Sequence, residues 1–416
     1  MSGKEMSEKF NGKEVDMKFS GMAVLALGLG LLLMAPGVFA QDVIKIGVIQ
    51  PLTGVGTDAG QRVHVAMKLA ESEMNAAGGI KGKKVQVIIT DSASRPTESV
   101  MMLRKLAEDD KVLAIVGPHY SSEAEVNFPA GNKIGIVQIC TASSKPGVAK
   151  ANRPWAFRNT LTEDKVADPV VKTIKSQYNA KNAALVIDVK EAVAASLGKA
   201  VFPAALQAEG VAMLNKDQPI TFETNKPEFL AEVTRMVQMK PDSCMIAALG
   251  PDVLNFMTEA RRQGVPETFP FFSGSTVFEG EVPERGGKTV NNLVAGAVWF
   301  KDMPSAKNQA FVKGFAQLSP KLYPQLAPFP TYYAVNAYDG IYMIKEAIEK
   351  GGVTGNPREL AQDRVKIRDY LAKLKNFDGI ASKGFNSVGD GIKNVSVLRT
   401  WNGNWQLMKE YGAAPE

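Results

Sequence analysis

Two short loops hold most of the polar chemistry this chain can offer. The first, Gly117 to Ala124 (GPHYSSEA), follows the apolar run Leu113 to Val116. The second, Thr141 to Gly147 (TASSKPG), follows Val137 to Cys140. Pro118 stops the first run, and Ser121 or Ser122 can cap a helix that begins near Glu123. Backbone N–H groups and the dipole at such a helix start favour an anion. The same serines serve equally well as simple caps and turn formers, so both readings stand at this point. His119, inside the first loop, can donate to an anionic ligand or act as a pH-sensitive contact. The only other histidine, His64, falls in a helical pattern, and two histidines are too few for a His-rich metal site. The glycines and lysines from Gly78 to Lys83 imitate a phosphate loop, but the spacing is short and Lys84 stands where Ser or Thr is required. No GxSxG elbow occurs, and no nucleophile is set beside a base. The sequence therefore predicts no enzyme, no cofactor and no metal.

The elements around these loops alternate. Ile46 to Ile49 is an apolar strand that breaks at Pro51 and Gly54, and Val63, Ala66, Met67, Ala70 and Met74 then recur at helical spacing until Gly78-Gly79. Val85 to Ile89 reads as a strand, Ser99 to Leu106 as a helix and Leu113 to Val116 as a strand. The second half repeats this, with strands at Ala183 to Ile187, Cys244 to Leu249, Phe269 to Phe272 and Leu293 to Val298. Between them lie helices at Ala192 to Ala208 and Asp252 to Gln263, and beyond them Lys307 to Leu318, Tyr332 to Lys350 and Val365 to Leu374. Such alternation argues parallel sheets with helices on both faces. The tail GIKNVSVLRTWNGNWQLM alternates apolar and polar residues about Asn402-Gly403, which predicts an antiparallel hairpin.

Met22 to Ala35 is an apolar run too short to span a bilayer comfortably, and it ends in Pro36, Gly37 and a small-x-Ala pattern, Val38-Phe39-Ala40. Residues 1–40 read as a cleavable export leader, with Met17-Lys18 as a more ordinary start and a retained anchor as the alternative. The mature chain would begin at Gln41, and no Cys follows the cleavage point to take a lipid. The leader carries four Lys and four acidic residues, so its removal leaves the net charge of +6 unchanged. The charges are mixed, without the Lys/Arg run of a nucleic-acid patch. The length exceeds one comfortable core and predicts two domains. Cys140 and Cys244 fall in different domains, and they are expected to be buried free thiols.

Pro51 to Gly54 (PLTG), Gly60, Leu69-Ala70, NAAGGIKGKKV from Asn75, Asp91 within TDS, and IVGP at Ile115 to Pro118 form an ordered set. Together they resemble the opening of the branched-chain-amino-acid type of periplasmic solute-binding protein, the type I family that feeds ABC importers. The resemblance runs from about Val43 to the terminal tryptophan segment. It implies an α/β periplasmic-binding-protein type I fold, two doubly wound parallel-sheet lobes joined by a three-crossover hinge. The crossings would fall near Asn159, Val298 and Gly384. Lobe 1 would comprise 43–158 plus 299–383, and lobe 2 would comprise 159–298 plus 384–411. Ligand would sit at the carboxyl ends of the strands, and closure would be read by permease subunits at the inner membrane. A periplasmic monomer is implied. The family's usual disulfide in the first lobe has no cysteine pair here.

Carried over residue by residue, the resemblance makes the two loops a shelf for the ligand's acid group, built without a formal cation. Ser121 supplies the first hydroxyl, Ala142 a backbone carbonyl, and Ser144 stands where the family usually has Thr. Tyr120, Ser122, Ser143 and His119 line the same loops. Opposite the shelf, relatives that bind α-amino acids place an acid after the strand matching Phe269 to Phe272. Here Ser275 stands there, and the nearest acid is Glu279. A tyrosine usual before Ala192 is missing, and Leu249-Gly250 replaces an aromatic pair. Burying an ammonium without an acidic partner costs several kcal/mol. Either Glu163 or Asp164 substitutes, or the ligand is an aromatic or aliphatic acid or an amide. Tyr120, Leu249 and Phe272 would form an apolar wall. A periplasmic sensor of the same fold and a periplasmic α/β enzyme are the competing readings.

Overall fold

The strand β1 (Ile44–Gln50) is apolar on both faces, as a parallel strand covered on each side requires. In the computed structural model, which describes residues 43–278 and 282–412, β1 lies inside a five-stranded sheet of order β2-β1-β3-β4-β5. Its partners are β2 (Val85–Asp91), β3 (Ile115–Val116), β4 (Gln138–Cys140) and β5 (Ala156–Arg158), and every pairing is parallel. The helices α1 (Thr57–Ala76), α2 (Pro96–Arg104) and α3 (Ser121–Ile134) connect these strands. The leader segment lies outside the described residues.

The second sheet has eight strands, in order β13-β12-β11-β10-β9-β6-β7 with one more strand, β8, also on β6. They are β6 (Asn182–Asp188), β7 (Ala212–Met213), β8 (Ile220–Phe222), β9 (Ser243–Ala247), β10 (Phe271–Ser273), β11 (Leu293–Ala297), β12 (Val395–Trp401) and β13 (Asn404–Tyr411). The pairings from β6 through β11 are parallel, whereas β12 runs antiparallel to β11 and β13 antiparallel to β12. Asn402 and Gly403 both take positive φ, 48° and 78°, the geometry that a two-residue hairpin turn demands. A register shift between Val397 and Leu398 bulges this ribbon.

Helices α4 (Glu163–Tyr178), α5 (Ala192–Ser196), α6 (Phe202–Ala208), α7 (Leu230–Gln238), α8 (Gly250–Arg262) and α9 (Val282–Gly286) belong to the second sheet's segment. The next three, α10 (Ala306–Leu322), α11 (Tyr332–Lys350) and α12 (Leu360–Lys373), return to the first sheet, with α1 packed on α10 and α11. The chain therefore passes between the two sheets' territories in three segments, 159–162, 298–305 and 374–394. The first and third lie together: Arg158 N–H donates to the Gly389 carbonyl at 2.9 Å, and Gly391 N–H to the Thr160 carbonyl at 3.2 Å. One continuous apolar cluster includes Ile46 and Val116 of the first sheet, Ile341 of α11, Val166 of α4, and Leu185 and Val294 of the second. Cys140 and Cys244 are both buried and free.

Several elements differ from the expected spans. The helix expected over Ala192 to Ala208 is divided into α5 and α6 by a wide turn at Leu197–Val201, and the one expected from Val365 starts at Leu360. Two others differ for clear local reasons. The helix expected from Ser99 starts at Pro96, a residue pre-set for a first turn, and runs on through a wide turn to Asp109. Helix α3 starts at Ser121, not near Glu123. Its N-cap is Tyr120, because the Glu123 carboxylate reaches back to accept from the Tyr120 N–H at 3.2 Å.

Candidate functional site

The carboxyl ends of β1, β3 and β4 are stitched together beneath the two serine loops. Gly117 allows this: its φ is 131°, and a Cβ there would meet the Ile49 carbonyl oxygen, so no side chain fits. At the end of β1, Gln50 bonds His119 Nδ1 through Oε1 at 3.2 Å and donates from Nε2 to Thr141 Oγ1 at 3.4 Å. His119 is fully buried, edge-on to Tyr120 at 4.7 Å and to Tyr333 at 5.2 Å. It stands under the loops as a packing and network residue. Glu123 is buried beside it, and burial pushes its carboxyl above the ordinary value. The Cys140 thiol donates to the Pro118 carbonyl at 2.8 Å, and burial raises its pKa to about 11.

The loops meet through their hydroxyls. Ser121 Oγ lies 3.0 Å from Ser143 Oγ, and Lys145 N–H points to Ser121 Oγ at 3.4 Å. Ser144 donates its hydroxyl to Glu163 Oε1 at 2.7 Å, while its carbonyl accepts the Glu163 N–H at 2.9 Å. Among the described residues, no hydrogen bond is made to the Ala142 carbonyl or by the Ser122 hydroxyl. Tyr120 and Ala142 are nearly buried, and Ser122 is half-buried.

Across from them, β10 leads into Gly274 and a tight turn from Ser275 to Phe278. Ser275 donates its N–H to Glu163 Oε1 at 3.3 Å and Oε2 at 3.2 Å, and its hydroxyl also donates to Oε1. A side chain at Gly274 would collide with Glu163 Oε2 and with Leu197 Cδ1. Of the two acids proposed as substitutes, Glu163 enters the site and Asp164 is exposed. Glu163 is fully buried at the first position of α4, where the helix start favours a negative charge. Burial nevertheless raises its pKa above the usual range, against the lowering effect of the Ser275 and Ser144 bonds. Among the described residues it has no ion pair. Glu279 lies outside the described residues.

Of the expected apolar wall, Phe272 points into the core, whereas Leu249 lies beside the turn that carries Ser275. Phe272 is buried in the core of the second sheet, edge-on to Phe202 at 5.4 Å. Leu249 is the N-cap of α8, nearly buried and next to Ala248, whose carbonyl accepts from Thr276 Oγ1 at 2.6 Å. An aromatic cavity of about 60 Å³ opens three residues past Ser275, lined by Phe278, Trp299, Phe329, Tyr332 and Trp405. No sequence signal marked it, since its walls come from four distant segments.

The resemblance gave the shelf no formal cation to contact the ligand, and the structure places one behind it, bonded to the protein itself. Arg158, at the end of β5, is fully buried under the second loop and reaches the carbonyls of Ser143 and Lys145. Nearby, Asn159 donates to the Asn336 carbonyl at 2.7 Å and Asn336 to the Thr141 carbonyl at 2.8 Å. The whole arrangement offers hydroxyls, carbonyls, the buried carboxylates of Glu163 and Glu123, and the buried guanidinium of Arg158, which is paired with Asp390. It can hold a small polar solute, and it contains no activated nucleophile.

Residues 43–397 match the model of a family described as periplasmic binding protein. An amino acid binding protein of Pseudomonas aeruginosa is 26% identical over 251 residues, which cover 59% of this chain and 63% of that relative, so this match spans less than two thirds of it. In structure, the chain is similar to the branched-chain amino acid transporter substrate-binding protein of Streptococcus pneumoniae in complex with isoleucine. That likeness has a TM-score of 0.75 at 22% identity, over 90% of this chain and 100% of the other. It is similar also to a solute-binding protein of an ABC transporter from Rhodopseudomonas palustris in complex with 3,4-dihydroxybenzoic acid, with a TM-score of 0.74 at 21% identity, over 90% and 98%.

Proposed function

Because the chain belongs to the periplasmic binding protein family, with its type I fold and its role of binding without catalysis, we propose that it is the extracytoplasmic substrate-binding component of an ABC importer. It captures a small carboxylate-bearing solute by closure of two lobes, 43–158 plus 299–383 and 159–298 plus 384–411, and delivers it to permease subunits. One observation carries this reading: Glu163 accepts hydroxyl bonds from Ser144, which follows the first sheet, and from Ser275, which follows the second. Among the described residues, no helix is long and apolar enough to cross a membrane.

In the finer reading the ligand is an amino acid. The ligand's acid group lies on the hydroxyls of Ser121 and Ser144, and its ammonium meets Glu163 and the Ala142 carbonyl. An ionised carboxylate buried among neutral donors is costly, and a ligand cation offsets that cost. A second reading is favoured by the raised pKa of Glu163: a protonated Glu163 donates to an aromatic or aliphatic acid that has no amine.

Thermal-shift and calorimetric titrations with matched pairs separate the two readings, using leucine against 4-methylpentanoate and phenylalanine against 3-phenylpropionate. Binding to N alone must raise the melting temperature. Amine-bearing ligands require ionised Glu163, so their affinity rises with pH, whereas plain acids favour the protonated form and bind more weakly as pH rises. No stabilisation by either class would remove the carboxylate reading.

A further inference from the structure

The Arg158 guanidinium is enclosed by groups from three separate segments. Its Nε donates to Asp390 Oδ1 at 2.6 Å, in the third passage between the sheets. Its Nη1 donates to the Ser143 carbonyl at 3.4 Å and to the Lys145 carbonyl, on either side of Ser144. Its Nη2 is buried and has no hydrogen-bond partner among the described residues. The backbone fixes the same group twice more, since Arg158 pairs with Cys140 in the β4–β5 ladder and donates its N–H to Gly389.

A trans peptide carries its C=O and N–H on opposite sides. With the Ser143 carbonyl turned toward Arg158, the Ser144 N–H faces away from the guanidinium. The Ser144 hydroxyl is directed to Glu163, in the space between the serine loops. The guanidinium therefore lies behind the loop, with the Ser144 N–H on the loop's far side. Arg suits this role because one planar fork can hold two carbonyls and a carboxylate together, which a Lys ammonium cannot do in the same geometry.

We propose that Arg158 is the positioning residue of the anion-binding loop: it orients the peptides around Ser144 and supplies positive charge behind them, and Asp390 holds it in place from the third passage. This rests on the reading that the Thr141 to Gly147 loop receives the ligand's carboxylate. The loop's geometry is thereby tied to the same connecting segments on which lobe closure depends.

Hydrogen exchange read by mass spectrometry on the full mature chain without added ligand tests the positioning role. Asp390→Asn, which keeps the shape and removes the charge, and Arg158→Lys are the variants. Amides of residues 142–145 should exchange about tenfold faster, the scale of one lost charge-assisted bond, with exchange in β6 and β9 unchanged. Unchanged exchange in the loop, or an equal rise throughout, overturns the proposal. The charge is tested with leucine and benzoate as probes, each beside its amide, leucinamide and benzamide. Arg158→Gln, which removes that charge, should weaken the carboxylate probe at least about threefold more than its amide. Equal losses would remove the charge role. If the loop loosens as expected while Ser144→Ala leaves both probes unaffected, positioning stands and the carboxylate shelf fails.

Discussion

Ser144 and Glu163 hold each other twice, hydroxyl to carboxylate at 2.7 Å and amide to carbonyl at 2.9 Å, although they stand at the ends of different elements. Through this pair the loop after β4 and the first turn of α4 form one unit, and Ser275 closes on it from β10.

Ser121→Ala and Ser144→Ala should each weaken binding of a carboxylate ligand by roughly 1 to 3 kcal/mol, the cost of one hydrogen bond to a buried charge. Isothermal titration of each variant and of the pair measures this. Unchanged affinity in the double variant would mean that the shelf lies elsewhere.

Glu163→Gln should cost an amine-bearing ligand roughly 2 to 5 kcal/mol and leave a plain acid nearly unaffected. It also alters stability without ligand. A carboxyl whose folded pKa is raised contributes stability that is present below its unfolded pKa and lost as pH rises through the folded one. Wild-type stability relative to Glu163→Gln should therefore fall as pH rises above about 4.3, the unfolded value. Thermal melts of the two proteins across that window give the difference, and parallel curves would contradict it.

Gly274→Ala should displace the Glu163 carboxylate, since the added methyl collides with it. In a double-mutant cycle with Glu163→Ala, the cost of Gly274→Ala should shrink by about 0.5 to 3 kcal/mol. Additive losses would show that the crowding at Gly274 comes from Leu197 instead.

Lys393 is buried, with its Nζ donating to Ser382 Oγ at 2.6 Å, and burial lowers its pKa to about 8 despite Asp339. The unfolded chain then binds more protons than the folded one between about 8 and 10.4, so stability contributed by this group rises with pH there. Lys393→Met should flatten that rise. Denaturant melts at about pH 7 and pH 10 compare the two slopes.

The alternation of strands and helices, the two serine loops and the hairpin at Asn402-Gly403 were readable because each depends on neighbours in sequence. Tyr120 as the N-cap of α3 was less so, since Glu123 took a role that Ser121 or Ser122 offered. Glu163 was recognised only as one of two adjacent acids. The helix start buries the first and exposes the second, a difference of one residue that composition does not encode. Arg158 under the shelf escaped notice because its partners lie at Ser143, Lys145 and Asp390, and the last is 232 residues away. Phe272 was mistaken for a ligand wall because an aromatic at a strand end serves core and cleft equally well, and only Phe202 behind it decides.

The bulged ribbon at the end of the second sheet has a consequence for how copies of this chain meet. Its outermost strand bears Lys409 and Glu410 and is kinked by the shift at Val397, while the opposite border carries β7, only two residues long. Neither border offers a long flat row of unpaired amides onto which a neighbour could zip. At these two borders the second sheet is thereby guarded against edge-to-edge pairing with a neighbour's strand.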